Sequence, residues 1–122
     1  MDDLFRRLKY GAKIWNHWRR EHPEAVVVLD NANLNGMILT GIDFARVSLR
    51  GASLHATNLM NADLRDADLS RANLCEADLI GANLEGAILL GADLREADLL
   101  GANLSNAQYS AADLEGALHV PG

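Results

Sequence analysis

Histidine and cysteine are the residues whose types and spacing come nearest to catalytic or metal-binding chemistry in this chain. His17 and His22 lie five positions apart, whereas two metal ligands on one face of a helix are typically four apart. The single cysteine, Cys75, precedes Glu76, and an adjacent acid disfavours the thiolate that a nucleophile or a metal ligand requires. We therefore expect no catalytic group, no metal site and no cofactor, and a protein that is not an enzyme.

Composition and charge exclude several classes of protein. The 122 residues include 11 Lys and Arg against 17 Asp and Glu, a formal net charge of −6, which disfavours direct binding to nucleic-acid phosphates. No apolar run approaches the roughly 18–20 residues that span a bilayer. The residues after Met1 lack the basic and apolar regions of a signal peptide, and one cysteine cannot form a disulfide within the chain. We expect a cytoplasmic protein that does not bind membranes.

An uninterrupted repeat of five residues fills the chain from residue 32 to residue 116. Each of its 17 pentads has a large apolar residue at the centre, leucine everywhere except Phe44 and Tyr109. Alanine stands two places before the centre in 13 pentads, and Asp or Asn stands between them in 12. The pentads without that alanine have Met37, Ile42, Val47 or Thr57 in its place.

A period of five predicts neither an α-helix nor a flat strand. On a helix, five residues advance by about 500°, so successive leucines would reach every face. On a strand, an odd period sends alternate leucines to opposite sides. A chain that turns by a similar angle after each pentad keeps every leucine and alanine inside. The period therefore predicts a β-solenoid, and by itself it leaves the number of sides and the handedness open.

The 17 pentads of residues 32–116 resemble the pentapeptide-repeat family, whose pattern is A(D/N)LXX. Three of them are Ala62-Asp63-Leu64-Arg65-Asp66, Ala67-Asp68-Leu69-Ser70-Arg71 and Ala72-Asn73-Leu74-Cys75-Glu76. The resemblance implies an all-β fold, a right-handed quadrilateral β-helix with four pentads in each coil and about four coils over residues 30–118. Centres and alanines would point inward, and residues 119–122 would form a tail.

Residues 1–29 precede the repeat and have the pattern of an amphipathic helix followed by a short lead-in strand. Leu4, Leu8, Trp15 and Trp18 recur at helical spacing, and Pro23 predicts that the helix ends by about His22. The segment resembles leaders that precede pentapeptide repeats in cyanobacterial proteins. We interpret this helix as a cap over the open end of the solenoid, and the alternative is an element that contacts a partner or a membrane surface.

Outward positions of successive coils should stack into columns if each coil holds four pentads. One column then contains Met60, Ile80 and Leu100, spaced by about 5 Å, and we call these three residues the apolar stripe. An aligned apolar column is typical of an interaction surface. The alternative is that its alkyl groups only help neighbouring coils to pack.

Two functions from different classes fit these patterns. The first is a non-catalytic scaffold or protein-interaction module with an unidentified protein partner, acting as a monomer or as an end-to-end homodimer. The second comes from the resemblance, because some pentapeptide-repeat proteins mimic duplex DNA and act on DNA gyrase, a type II topoisomerase. The acidic repeat agrees with mimicry in sign, but arginines interrupt it and a rod of roughly 20 Å is short. We therefore favour the scaffold.

Overall fold

The computed structural model describes residues 3–121, and parallel β-bridges between residues twenty positions apart hold its repeat region together. The ladder runs from the bridge between Val28 and Ser48 to the bridge between Asp98 and Leu118. Each bridge is isolated, and successive bridges along the chain are mostly five residues apart. One coil therefore consists of four short sides, and each pentad stacks on the pentad twenty residues before it.

The interior is filled by the pentad centres and by the alanines that precede them. Every centre from Leu34 to Leu99 has at most 1% of its surface exposed, and Leu104 has 9%, which confirms the inward orientation over most of the repeat. The exceptions are Tyr109, with 40% of its surface exposed, and Leu114, which is half-buried. The expectation was wrong at both positions because the chain leaves the regular coil after Tyr109, in a 3-10 helix at Ala111–Leu114.

The Asp and Asn side chains that precede the centres act within the backbone turns. Asp78 Oδ1, for example, accepts the N–H of Ile80 at 3.0 Å, and Asn83 Oδ1 accepts the N–H of Glu85 at 3.1 Å. Such bonds satisfy a backbone donor at each corner. The recurrence of these acids and amides thus has a structural cause in the turns.

The N-terminal segment forms two helices where the sequence predicted one. Helix α1 spans Asp3–Leu8 and helix α2 spans Ala12–Glu21. Gly11 separates them with a φ of 89°, a left-handed conformation that glycine adopts without steric cost. Helix α2 ends at the predicted place, before Pro23, with His22 as its C-cap. Within residues 3–121, no helix is long and apolar enough to cross a bilayer.

The predicted apolar face of this segment packs on the first coil. Leu8 and Trp15 are fully buried, and Leu4 and Trp18 are half-buried against the same core. The rings of Trp15 and Phe44 meet edge to face, with centroids 5.5 Å apart at 89°, a favourable arrangement for aromatic pairs. The indole and its neighbours therefore extend the leucine core beyond the first coil.

Side chains of α2 also bond the exposed backbone edge of that coil. Asn16 donates from Nδ2 to the carbonyl oxygen of Gly41 at 3.0 Å and accepts the N–H of Asp43 at Oδ1, at 2.7 Å. Trp15 donates from Nε1 to the carbonyl oxygen of Asp43 at 2.7 Å. In later coils, the residue that corresponds to Asp43 bonds the preceding coil through its own N–H and its own carbonyl oxygen. On this side, side chains of α2 therefore bond two backbone groups that a preceding coil bonds elsewhere in the ladder.

Arg19 completes the contact between helix and coil. Its Nη2 donates to the carbonyl oxygen of Ala45 at 2.6 Å, and its Nε lies 3.8 Å from a carboxylate oxygen of Asp43. Only 7% of its surface is exposed. Burial lowers the pKa of Arg19, and the charge of Asp43 opposes that shift. The helix thus joins the solenoid through polar bonds as well as apolar packing.

Candidate interaction surface

One side of the solenoid carries the apolar stripe. Its pentads occupy residues 37–41, 57–61, 77–81 and 97–101, and we call it the stripe side. The N–H of Gly81 donates to the carbonyl oxygen of Leu100 at 2.8 Å, and the N–H of Asn61 donates to that of Ile80 at 2.8 Å. The backbones of the three stripe residues are therefore in adjacent, hydrogen-bonded layers, at the inter-strand spacing of about 4.8 Å.

The stripe residues differ in exposure. Leu100 has 52% of its surface exposed, as expected, whereas Met60 and Ile80 are half-buried. The inner layers are less exposed than the sequence predicted because each side chain has a neighbouring layer above and below it. Two further apolar residues lie on or next to the stripe side, namely Ile38 at 74% and Leu118 at 44% exposure. The residues twenty positions from them along the repeat are Asn58 and Asp98, so a search for apolar columns would have missed both, and only the bridges to Asn58 and Asp98 place them here.

The outward positions of the stripe side contain no Lys, Arg or Glu. Asp78 and Asp98 are its only charged residues, and both carboxylates bond groups of the protein. Asp98 Oδ1 accepts the N–H of Leu100 at 3.0 Å and lies 2.9 Å from Nδ1 of His119. The hydrogen bond from His119, followed by that from Leu100, lowers the pKa of Asp98. This surface can therefore make apolar contacts with little desolvation of charge.

The other sides present ion pairs to solvent. Arg65 Nη2 lies 2.7 Å from a carboxylate oxygen of Asp63, and Arg95 Nη2 lies 2.5 Å from one of Asp93. In both pairs the arginine Nε makes a second hydrogen bond to the same carboxylate. The two-point geometry is typical of Arg–carboxylate pairs. The contrast with these charged surfaces distinguishes the stripe side.

A broad, open cavity of about 560 Å³ lies at one corner, lined in part by His55, Cys75 and Glu76. His55 Nε2 lies 3.3 Å from a carboxylate oxygen of Glu76. Burial, followed by the interaction with Asp93, raises the pKa of the Cys75 thiol. This shift favours the protonated thiol over the thiolate that a nucleophile requires.

The ion pairs make the stability of the folded chain depend on pH in the acid range. Hydrogen bonds from Arg65 and Arg95 lower the pKa values of Asp63 and Asp93 respectively. Because each carboxylate has a lower pKa in the folded chain than in the unfolded one, its contribution is complete above the unfolded pKa of about 4 and is lost as pH falls further. We expect the thermal unfolding midpoint to fall progressively below about pH 4.

Asp93→Asn provides the matched variant for that measurement. An asparagine retains the oxygen that bonds the turn, as Asn73 does one coil earlier with the N–H of Cys75 at 3.0 Å, but it has no charge to lose. The variant should show a weaker dependence of its unfolding midpoint on acid pH than the wild type, followed by circular dichroism. Identical pH profiles would contradict a role for the Asp93–Arg95 pair.

Comparison with protein families identifies the repeat. The family model for pentapeptide repeats matches in eight copies, over residues 28–66, 67–106 and 91–118. No curated protein sequence matches the chain.

Solved structures of pentapeptide repeat proteins are similar to this chain. One, from the thylakoid lumen of Arabidopsis thaliana, is 35% identical over 67% of this chain, with a TM-score of 0.65. A second, from the cyanobacterium Cyanothece 51142, is 33% identical over 75%, with a TM-score of 0.58. A third, from Nostoc PCC 7120, is 30% identical over 78%, with a TM-score of 0.66. The matches cover 57%, 63% and 94% of those proteins respectively, so for the first two less than two thirds of the relative is spanned.

Proposed function

The chain belongs to the pentapeptide-repeat family, and from that premise we propose that it is a non-catalytic scaffold that binds a partner protein through the apolar stripe. Proteins of this family form right-handed quadrilateral β-helices and are generally structural or interaction modules. In this proposal the chain forms about four such coils, and α1 and α2 close the N-terminal end. Function then depends on surface columns held at fixed spacing.

The observation that carries the proposal is an uncharged apolar column on a rod whose other sides are ion-paired. Each apolar group that a partner covers contributes about 25 cal/mol per Å² removed from water. The backbone beneath the stripe is fixed by the ladder, so little conformational entropy is lost on binding. The partner should therefore present an apolar surface with few charges.

The test is capture from a lysate of the source organism, using three forms of the protein on beads. The first is the wild type, and the second replaces the stripe through Met60→Ser, Ile80→Ser and Leu100→Ser. The third is a control with exposed apolar residues replaced on another part of the surface, through Val26→Ser, Val28→Ser and Leu90→Ser. These control residues are 90%, 54% and 47% exposed.

We expect a partner that the wild type and the control retain and that the stripe variant loses by about tenfold or more, a difference of about 1.4 kcal/mol. The serines lie outside the core, so all three forms should have the same circular dichroism spectrum. If every captured protein binds the stripe variant as well as the wild type, the stripe is not the site.

DNA mimicry is the second candidate, and the charge of the later coils favours it. Residues 51–122 contain 11 Asp and Glu against three Arg. Against it, the carboxylates of Asp63 and Asp93 are paired with arginines, which weakens the field that a mimic needs. A gyrase supercoiling assay tests this candidate. The candidate is eliminated if the protein does not inhibit the enzyme and does not protect it from its inhibitors.

Location and assembly are also part of the proposal. We place the protein in the cytoplasm, which the single cysteine permits, although one similar protein comes from a thylakoid lumen; cell fractionation distinguishes the two. Light scattering across a range of concentrations distinguishes a monomer of 13.2 kDa from an end-to-end homodimer of twice that mass.

A further inference from the structure

Basic side chains without acidic partners are concentrated on the two helices. Arg50, Arg65 and Arg95 of the coils each lie within 4.0 Å of a carboxylate. Among the residues whose side chains the structure describes, from Leu4 to Pro121 without Ala112, no comparable ion pair involves the exposed bases of the helical segment. These exposed bases are Arg6, Lys9, Lys13 and Arg20. The helical end therefore presents bases that no carboxylate with a described side chain neutralises.

A cavity of about 330 Å³ lies on this surface, between α1 and α2. Arg6, Arg7, Tyr10 and Ile14 line it, and none of them is acidic. The guanidinium of Arg7 lies 5.4 Å from the centre of the Trp18 ring, which orients it by a cation–π contact. Arg7 Nε is buried and has no hydrogen-bond partner. The cavity thus combines two arginines with two apolar surfaces.

We propose that this cavity binds an acidic segment of a partner protein. A carboxylate of the segment pairs with Arg6 and Arg7, and a neighbouring apolar side chain packs on Tyr10 and Ile14, which are 69% and 48% exposed. Arginine matches carboxylates in a two-point geometry. Arginine and tyrosine are also the residue types that dominate binding energy in protein interfaces. A concave site suits an inserted side chain better than a flat lipid surface.

The charge distribution along the solenoid supports an acidic partner. Residues 1–29 contain six Lys and Arg against four Asp and Glu, whereas residues 51–122 contain three against 11. The resulting field attracts an acidic segment to the helices and repels it from the later coils. Because the cavity is formed by α1 and α2 and the apolar stripe lies on the coils, the two surfaces can be occupied together. The inference therefore adds a second site to the scaffold.

Fluorescence anisotropy tests the site with a fluorescein-labelled peptide of glutamates around one central leucine. The wild-type chain should bind this probe, and salt should weaken the binding. Arg6→Gln combined with Arg7→Gln should raise Kd by about tenfold or more. Tyr10→Ser alone leaves the charge and the Arg7–Trp18 contact intact and should also weaken binding. This single variant tests the site if the double variant fails to fold.

A charge-matched control distinguishes binding in this cavity from attraction by the overall charge of the protein. Arg46→Gln combined with Arg71→Gln removes the same charge from exposed positions on the coils and should change Kd by less than about twofold. An equal loss in this control, or no binding of the probe by the wild type, would overturn the proposal. Binding to phosphatidylserine vesicles that the Arg6→Gln and Arg7→Gln variant loses, together with no binding of the probe, would overturn it in favour of a membrane. The stripe variant should bind the probe normally, so failure here is distinguishable from failure at the stripe.

Discussion

Leu89→Asp should abolish folding of the whole solenoid. Leu89 is fully buried, and its N–H donates to the carbonyl oxygen of Gln108 in the next layer at 2.8 Å. An aspartate there would place an unpaired carboxylate among leucines, at a cost of several kcal/mol. A domain of this kind is stable by only about 5–15 kcal/mol, and every layer depends on its neighbours. Circular dichroism and protease resistance would reveal the loss.

Leu90→Asp is the matched control, because it makes the same change one residue later. Leu90 has 47% of its surface exposed, so the new carboxylate remains in water. We expect a folded protein with an unfolding midpoint within a few degrees of the wild type. A folded Leu89→Asp variant with normal β structure would contradict the assignment of the pentad centres to the interior.

Trp15→Ala should destabilise the chain by about 3–5 kcal/mol, the usual cost of removing a large buried aromatic side chain. The substitution removes the contact with Phe44 and leaves the carbonyl oxygen of Asp43 without its indole donor. It therefore exposes the first layer of the core and part of its backbone edge. Urea denaturation measures the loss.

Two variants separate the contributions of Trp15. Trp15→Phe retains an aromatic ring but not the N–H, so it should cost less than Trp15→Ala, with about 1–3 kcal/mol from the unsatisfied carbonyl. Ile14→Ala removes an apolar side chain from the same helix at a position that is 48% exposed, and its effect should be small. If Trp15→Ala is as stable as Ile14→Ala, the helix does not support the first coil.

The interior could be predicted from the sequence because it depends on a pattern. Every pentad puts a large apolar residue, and usually an alanine, in the same two slots, and only a chain that turns after each pentad can bury them together. The end of the helix could be predicted for a local reason, since Pro23 cannot continue it. Tyr109 occupies the centre of its pentad but is not buried, because burial also requires a further layer on top of it.

The contacts between α2 and the coil could not be predicted. In the sequence, Asn16 is an ordinary polar residue on a helix. Its partners are backbone groups of Gly41 and Asp43, and because every residue has such groups, residue types do not reveal the contact. Arg19 would be assigned to the surface for the same reason. The break at Gly11 could not be predicted either, since a glycine is compatible with both a continuous and an interrupted helix.

The position of the apolar stripe could be predicted from the sequence, but the full extent of the apolar surface could not. The column of Met60, Ile80 and Leu100 follows from the coil length alone. Ile38 lies in the slot that Asp or Asn normally fills, so its contribution to the same side became apparent only from the ladder that pairs it with Asn58. The basic cavity could not be predicted, because it depends on the angle between two helices that the sequence presented as one.

Amide hydrogen exchange on the complex with the captured partner tests the central claim most directly. The N–H groups of Met60, Ile80 and Leu100 each bond an Asx side-chain oxygen at 3.0 Å, so they report on cover over the stripe. We predict slower exchange at these three amides, with no change at Arg65 and Arg95, whose N–H groups make the equivalent bond on other sides. Protection at Arg65 and Arg95 with unchanged exchange along the stripe would contradict the account.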